Sequence, residues 1–216
     1  MSGEAGLVRF IVEQQNRLSC IIRYNNTPKV NGESVAEHSF YVALMAMVIS
    51  DYLVCNSGIK IDQSKLIRMA LIHDVEEIIS GDIIKVLKSG GFKEELEKMN
   101  ERSMVHITGQ LPYALGGEYM ELWRENKAEL TIEAKLCDFC DWLAVVVYSI
   151  KEVHLGNEYF REILEYAVEK FGHFAERVPE LAPLVVELAS YSVKYLLKDP
   201  RIIESINKAV RIYKGE

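Results

Sequence analysis

The segment that most constrains the fold is a long apolar stretch that follows Ser34. Ser34 and Glu37 form a capping box, in which the Ser34 hydroxyl accepts from the Glu37 amide and the Glu37 carboxylate accepts from the Ser34 amide. The predicted helix continues to about Leu53, and apolar residues cover most of its circumference. Such a helix is buried by its neighbours, so the chain has to pack further helices around a central one.

Other segments repeat the helical spacing of apolar residues. They are residues 7–22, 64–80, 92–108, 131–154, 158–176, 180–198 and 201–213. Residues 109–117, with one proline and two adjacent glycines, predict a loop. No strand alternation and no internal repeat occurs. With 216 residues, 49% of them hydrophobic, we predict an all-α protein that forms a single domain over residues 1–216.

The formal net charge of −7 argues against a nucleic acid polymer as partner, because binding one requires a basic surface. A small anionic substrate remains compatible with that charge, since one arginine and a metal ion set a local positive field. No run of about 18 apolar residues occurs, and the first residues lack the pattern of a signal peptide. We therefore expect no membrane partner and a cytoplasmic location.

Four cysteines are too few and too scattered for a disulfide framework in a chain of this size. Cys137 and Cys140 form a C-x-x-C pair, a spacing found in redox and zinc sites. No second pair accompanies them, and their surroundings are typical of the middle of a helix. We interpret both as structural.

An imidazole and several carboxylates lie together in residues 71–78. On a continuous helix, Glu77 follows His73 by four residues and Asp74 by three, so it projects from nearly the same side one turn further on. Burying Asp74 among apolar neighbours is costly unless a cation or strong donors compensate its charge. A divalent metal ion provides that compensation. The alternative is that His73 and Asp74 lie on the solvated face of an ordinary amphipathic helix.

Three residues on other helices are further candidates. His38 lies where the central helix begins, although a histidine there is also typical of a hydrogen-bonded core residue. Asp138 interrupts the apolar face of the helix predicted over residues 131–154, and Asp141 lies one turn further on. Spacing alone does not decide which of these two carboxylates points inward.

Two charged residues lie where predicted helices end. Arg23 precedes a turn-forming segment and can reach into a neighbouring cleft, or it can simply complement the dipole of the helix before it. Asp82 follows Gly81, which breaks the preceding helix, and Asp82 can instead cap the next helix.

The ordered set His38, His73-Asp74 and Asp138 resembles the H…HD…D signature of HD-domain metal-dependent phosphohydrolases. Within that superfamily the chain looks most like the bacterial 5′-deoxynucleotidases, which hydrolyse deoxyribonucleoside 5′-monophosphates and form dimers. The similarity runs from the first helix to about residue 157. It implies an HD-domain helical bundle with a metal-site core over about residues 7–157 and additional C-terminal helices over residues 158–216.

The resemblance also implies roles for single residues. It assigns the metal ligands His38, His73, Asp74 and Asp138, with Asp138 rather than Asp141 at the family position. Asp74, Arg23 and Glu77 would be catalytic, because Arg23 would bind the substrate phosphate and Glu77 would serve the proton transfers. Asp82 would contact the sugar.

Two departures from the family pattern lie where substrate selectivity would be set. The family commonly has Arg-Trp-Pro where this chain has Arg23-Tyr24-Asn25, and a proline-containing stretch where it has residues 81–85. Tyr24 is therefore the candidate that would crowd the 2′ position of the sugar, with Asp82 accepting from the 3′ hydroxyl.

Two imidazoles and two carboxylates leave open positions on an octahedral ion, which suits Mn²⁺, Co²⁺ or Fe²⁺ ahead of Mg²⁺, Zn²⁺ or Ni²⁺. We expect a homodimer that removes the 5′-phosphate of deoxyribonucleoside monophosphates. One alternative is an HD phosphohydrolase that acts on a ribonucleotide, a cyclic nucleotide or a guanosine alarmone. The other is a non-catalytic dimeric binding protein that keeps the metal as a brace.

Overall fold

The computed structural model describes residues 3–83 and 91–196 together with Arg211. Within these ranges the chain forms helices and no strand, apart from one isolated bridge between Ile22 and Ser34. The helices are α1 (Gly3–Arg9), a π-helical segment (Phe10–Gln14), α2 (Gln15–Cys20), α3 (Val35–Ser57), α4 (Gln63–Ile72), α5 (Glu77–Ser80), α6 (Lys93–Thr108), α7 (Tyr113–Ala128), α8 (Ile132–His154), α9 (Tyr159–Arg177), a 3₁₀ turn (Pro179–Leu181) and α10 (Ala182–Leu196). The all-α prediction is confirmed, whereas the helix predicted over 201–213 lies outside the described residues except for Arg211.

The caps expected at the two long helices are present. Both halves of the capping box between Ser34 and Glu37 form at the start of α3, and Gly58 ends that helix in the left-handed conformation with φ of 68°. The Thr131 hydroxyl accepts from the Ala134 amide at the start of α8. These local contacts determine where the two helices that carry the site begin.

The helices α3 and α8 form the centre of the molecule. They pack against each other and against α4, while the other side of α8 packs against α9 and α10. The largest apolar cluster is formed by these helices and contains buried side chains such as Leu53, Met69, Phe139 and Phe171. The helix α8 is therefore wedged between α3 on one side and α9 on the other.

The helix α3 is long and apolar enough to cross a membrane by length and composition alone, with a mean hydropathy of 1.5 over its best window. Of that window, 44% is buried inside the protein, where it packs on α4 and α8. The central helix of a globular domain meets the same two criteria, so the finding is weak evidence for a membrane span.

Two local predictions are corrected. The loop predicted over residues 109–117 is shorter, because α7 already begins at Tyr113 and includes Gly116 and Gly117. A Cβ atom on Gly116 would lie 2.4 Å from the carbonyl oxygen of Thr108, so the close approach of α7 to the end of α6 requires glycine. The helix predicted over 64–80 is interrupted, because α4 ends at Ile72 and α5 begins at Glu77.

Cys137 and Cys140 are free and buried in the middle of α8. Burial raises the pKa of both thiols above the ordinary value. The charge of Cys140 adds to the rise at Cys137, and the charge of Asp141 adds to the rise at Cys140. A buried thiol with a raised pKa forms little thiolate and is unreactive. This environment supports the structural interpretation of the C-x-x-C pair.

Candidate metal centre

Two histidines and an aspartate converge inside the bundle. His38 lies in the first turn of α3, and His73 and Asp74 lie in the turn that joins α4 to α5. One potential ligand atom from each of the three residues lies within 4.8 Å of the other two. The Oδ2 atom of Asp74 is 3.1 Å from Nε2 of His73 and 3.7 Å from Nε2 of His38. The sequence prediction that these three residues meet is therefore matched by the geometry.

The imidazole of His73 has a defined orientation. Its Nδ1 atom lies 2.7 Å from the carbonyl oxygen of Ala70, one turn back in α4, so Nδ1–H donates to that oxygen and Nε2 is the nitrogen that faces Asp74. Nε2 of His73 and both ring nitrogens of His38 are buried and have no hydrogen-bond partner among the described residues. A buried polar atom without a partner costs about 1–3 kcal/mol, so this arrangement calls for a further group at the point where the nitrogens converge.

The structure gives Asp138 and Asp141 different partners. The Oδ2 atom of Asp138 lies 3.0 Å from Nη1 of Arg177, at the end of α9. Asp141 takes the place beside the site, with Oδ1 at 2.9 Å from Nε2 of His38. The two atoms are close but lack the alignment of a hydrogen bond. Side chains three residues apart on a helix differ by about 60° in direction, so on a helix wedged between two others each carboxylate faces a different neighbour.

The charged groups of the cluster shift one another's pKa values. Burial lowers the pKa of His38 to about 4, and the charge of Arg23 acts in the same direction. Burial would also lower the pKa of His73, but Asp74 outweighs it and raises that pKa to about 9. Burial would raise the pKa of Asp74, but His73 and Lys127 hold it well below the ordinary value. Asp74 is therefore an ionised carboxylate with a side chain that is 16% exposed, and a cation that binds here would displace a proton from His73.

Arg23 lies on the segment between α2 and α3, near enough to feel the charges of Asp74 and Asp141. Its Nη1 atom is 3.4 Å from Oε2 of Glu33, and its guanidinium lies over the ring of Tyr24 at 5.4 Å from the centroid. Burial would lower the pKa of Arg23, but the charges of Tyr24, Asp141, Asp74 and Glu33 raise it above the ordinary value. Arg23 is thus a permanently charged group beside the group formed by His38, His73 and Asp74, which we call the metal cluster.

The segment that carries Arg23 is held by three residues that sequence reasoning did not single out. Glu152, in the last turn of α8, accepts from the amides of Val30 and Asn31 at 2.8 and 2.9 Å. Asn157 donates to the carbonyl of Pro28 at 3.0 Å, and the Tyr148 hydroxyl donates to that of Asn31. A buried glutamate late in an apolar helix was the available signal. Only the folded chain brings it to a loop more than 120 residues away.

The two predicted sugar-binding residues contact each other. The Tyr24 amide donates to Oδ2 of Asp82 at 2.8 Å, and Tyr24 adopts a positive φ of 54°. The Tyr24 ring stacks on Tyr148 with a centroid distance of 5.3 Å and meets Phe160 edge-on at 5.1 Å. Much of the ring is therefore engaged by the aromatic cluster. Asp82 joins the Arg23 segment to the end of α5 through this hydrogen bond.

Glu77 is buried and begins α5, immediately after the turn that carries the metal cluster. Its amide donates to the carbonyl oxygen of Asp74 at 3.1 Å. The expected spacing on one continuous helix does not occur, because residues 73–76 form a turn. Glu77 is the first residue after that turn, three positions beyond Asp74, and its place near the metal ion stays a prediction.

The donor set fits a divalent metal ion. Two imidazole nitrogens and carboxylate oxygens are ligands that Mn²⁺, Fe²⁺, Co²⁺ and Zn²⁺ accept. The orientation of His73 by a backbone carbonyl is the arrangement typical of a metal-ligating histidine. The fold and the cluster together define an all-α protein with a buried site for a divalent cation.

Comparison with known proteins identifies the family. Residues 16–182 match the HD domain. The chain is 33% identical to the mouse 5′-deoxynucleotidase HDDC2 over 190 residues, which cover 85% of this chain and 87% of the mouse protein. It is 32% identical to the human 5′-deoxynucleotidase HDDC2 over 158 residues, which cover 72% of this chain and 71% of the human protein. The chain therefore belongs to the HD-domain family, and the resemblance inferred from its motifs is confirmed.

The solved structures agree with this assignment at the level of the fold. An HD-domain phosphohydrolase from Listeria innocua superimposes with a TM-score of 0.77 at 22% identity, over 97% of this chain and 99% of that chain. The superposition extends over nearly the whole length of both chains, so the helices that follow the metal cluster are shared with that protein.

Proposed function

We propose that this protein is a metal-dependent 5′-deoxynucleotidase, which removes the 5′-phosphate of deoxyribonucleoside monophosphates. The observation that carries the proposal is the convergence of His38, His73 and Asp74, with unpartnered imidazole nitrogens, beside the charged Arg23. The two mammalian relatives named above are called 5′-deoxynucleotidases and are similar over most of this chain. Their names support the substrate class.

The proposed ligands are His38, His73, Asp74 and Asp141. The close approach of Asp141 to His38 and the pairing of Asp138 with Arg177 support this set over the one that contained Asp138. A bound divalent ion would polarise the phosphoryl group and activate water for attack at neutral pH. Mn²⁺, Co²⁺ or Fe²⁺ suits such a mixed nitrogen and oxygen set.

Arg23 would bind the substrate phosphate. Its guanidinium is always charged and its planar donors match phosphate oxygens in pairs. Glu33 contacts Nη1 at 3.4 Å, and we propose that the other donors of the guanidinium bind the phosphate oxygens. Glu77 would carry the proton transfers, because a carboxylate next to the reacting phosphate can activate water or protonate the leaving 5′ oxygen.

Asp82 and Tyr24 would recognise the sugar. Oδ2 of Asp82 accepts from the Tyr24 amide, so Oδ1 would accept from the 3′ hydroxyl. The edge of the Tyr24 ring would crowd the 2′ position and disfavour ribose. An added hydroxyl in a closely fitting site is rejected by about 10²-fold, which is the order of selectivity we expect.

A hydrolysis screen tests the function. Nucleoside monophosphates, nucleoside diphosphates, cyclic nucleotides and guanosine alarmones are offered with Mn²⁺, Co²⁺ or Mg²⁺, and released phosphate is measured. We expect deoxyribonucleoside 5′-monophosphates to be hydrolysed fastest and a chelator to abolish the activity reversibly. The Arg23→Ala variant should lose activity, whereas Arg9→Ala, at an exposed surface pair, should not. Faster turnover of a cyclic or polyphosphate substrate would reject the proposal.

The proposal includes a homodimer that forms through the outer face of α3. Large apolar side chains on that face are exposed: Phe40, Tyr41, Leu44, Met47, Val48 and Tyr52. They recur every three or four residues, and such a continuous apolar stripe marks an interaction surface. The helix contains no lysine or arginine, whereas helices that lie on membranes are rich in both, so a second copy of the chain is the occupant that we propose.

Light scattering after size-exclusion chromatography tests the dimer. We expect the wild type to be dimeric and Leu44→Glu to be monomeric, because two carboxylates would meet at the two-fold axis. Leu130→Glu is the control, since Leu130 is 80% exposed in the segment between α7 and α8. A monomeric wild type would contradict the dimer.

A cytoplasmic location is also proposed, and the four free cysteines support a reducing compartment.

A further inference from the structure

A group of three residues lies beside Asp74, with Glu76 and Trp123 buried and the Lys127 side chain 40% exposed, and neither the metal cluster nor the phosphate site uses it. Glu76 is 1% exposed, and both of its carboxylate oxygens have partners. Oε2 accepts from Nε1–H of Trp123 at 2.8 Å, and Oε1 lies 2.9 Å from Nζ of Lys127. The Lys127 ammonium also lies 5.5 Å from the centroid of the Trp123 ring. Trp123 and Lys127 are one turn apart on α7, so both contact the same glutamate.

Lys127 also faces the metal cluster. Its Nζ atom is 4.0 Å from Oδ1 of Asp74. The other oxygen of Asp74, Oδ2, is the one that lies toward His73 and His38. The two oxygens of this carboxylate therefore have different neighbours: a cation on one side and two imidazoles on the other.

The location of Glu76 explains why this arrangement can act on the metal cluster. Glu76 lies in the turn between α4 and α5 that also carries His73 and Asp74. The backbone of this turn is held by short-range hydrogen bonds, such as that from the Val75 amide to the Ile72 carbonyl at 3.1 Å, whereas α7 is a helix of 16 residues. The contacts of Glu76 with α7 tie the turn to a rigid element. Partners of this kind orient ligand side chains and preserve their geometry.

We propose that Lys127, held in place by Glu76 and Trp123, is a positioning residue for the metal ligand Asp74. Its ammonium attracts Oδ1 and so keeps Oδ2 directed at the point where His38 and His73 converge. Glu76 balances the positive charge of Lys127, so the pair orients Asp74 without placing a net charge beside the incoming cation. The inference rests on the proposed metal site, but it concerns the binding of the ion and not the reaction.

The test measures the affinity for Mn²⁺ by calorimetry, with no substrate present. Lys127→Met should weaken binding by about 10-fold or more, which is the usual effect of removing a partner of a metal ligand. The double variant Glu76→Gln/Lys127→Met should remain weakened, although the introduced amide keeps an acceptor for Trp123 and leaves no unpaired charge. Lys127→Arg should retain most of the affinity. Lys98→Met is the matched control, because Lys98 pairs with Glu94 on the exposed surface of α6.

Two further measurements separate positioning from a purely structural role. Thermal unfolding of the metal-free variants shows whether the fold survives. Trp123→Phe is a milder variant, because it loses the hydrogen bond to Glu76 but keeps an aromatic ring. The visible spectrum of bound Co²⁺ should change in Lys127→Met, because the ligand geometry changes. Wild-type Mn²⁺ affinity and an unchanged Co²⁺ spectrum in the double variant would overturn the proposal. A negative hydrolysis screen would leave these binding results unaffected.

Discussion

The metal cluster and the Arg23 segment lie next to each other, but they are built in different ways. His38 and Asp141 project from the two long helices at the centre of the bundle, so packing of apolar side chains determines their separation. Arg23 lies on an irregular segment whose position depends on hydrogen bonds to the end of α8. The positions of His38 and Asp141 therefore follow from helix packing, whereas the position of Arg23 depends on a few polar contacts.

This difference predicts where substitutions act. A ligand substitution in the metal cluster should remove the ion and leave the fold intact, because the helices have independent apolar cores. A substitution among the contacts that hold the Arg23 segment should leave the ion bound and impair the use of substrate. The predictions below follow that division, beginning with the largest expected effect on activity.

The largest effect is expected from the metal ligands. Asp141→Ala and His73→Ala should lose the bound metal and reduce hydrolysis to background. Asp138→Ala should keep the bound metal and the hydrolysis activity. Metal content after equilibration with Mn²⁺, measured by mass spectrometry, distinguishes the variants, and circular dichroism checks their helices. Full occupancy in Asp141→Ala together with an empty Asp138→Ala would restore the original assignment of Asp138.

Glu77→Ala should retain the metal and lose turnover. Removing a general acid or base lowers the rate by about 10²-fold or more, so kcat should fall by that order while metal content stays at the wild-type level. Glu94→Ala, on the exposed side of α6, is the control. Near-normal turnover in Glu77→Ala would remove Glu77 from the mechanism.

Glu152→Gln should weaken substrate binding without loss of metal. Glu152 accepts two backbone hydrogen bonds with an ionised carboxylate, and such bonds contribute about 1.5–3 kcal/mol each. Replacing one oxygen by an amide nitrogen loses one acceptor, so we expect KM to rise by about 10-fold. Steady-state kinetics and metal analysis on the same preparation measure this. A fall in metal content would show that the two regions are not separable in this way.

Tyr24→Ala should narrow the preference for deoxyadenosine monophosphate over adenosine monophosphate by a few-fold, out of an expected selectivity of about 10². The ratio of kcat/KM for the two substrates isolates this effect from any loss of Arg23 support, which would lower both values equally. Tyr24→Phe keeps the ring and should preserve the ratio. An unchanged ratio in Tyr24→Ala would confine Tyr24 to the support of Arg23.

The smallest effect on activity is expected from Asp138→Asn. Burial raises the pKa of Asp138 to about 6, with Glu129 and Asp141 adding to the rise and Arg177 opposing it. Because this value exceeds the unfolded pKa of about 3.9, the carboxyl group contributes stability at low pH that is lost as the pH rises through 6. From pH 5 to pH 8, the free energy of unfolding of the wild type should fall by about 1 kcal/mol relative to the variant. Chemical denaturation at the two pH values measures the difference.

Much of the architecture could be read from the sequence because the signals are local. The capping box at Ser34, the Thr131 cap and the glycine at position 58 each depend on residues within a few positions of one another. The same holds for His73 and Asp74, which are adjacent in the chain. The prediction of one continuous helix over residues 64–80 was wrong, because α4 ends just before the cluster and His73 and Asp74 lie in a turn.

The sequence by itself determined where α3 and α8 begin and the acidic and apolar character of the chain, and it brought forward three of the four proposed ligands. Tertiary structure decided the partners of Asp138 and Asp141, because only the packing of α8 between α3 and α9 brings Arg177 to one carboxylate and His38 to the other. It also decided the contacts of Glu152 and Lys127, whose partners lie far away in the chain. Local chemistry defines a helix and its caps, whereas the direction of one side chain among buried neighbours depends on how whole helices pack.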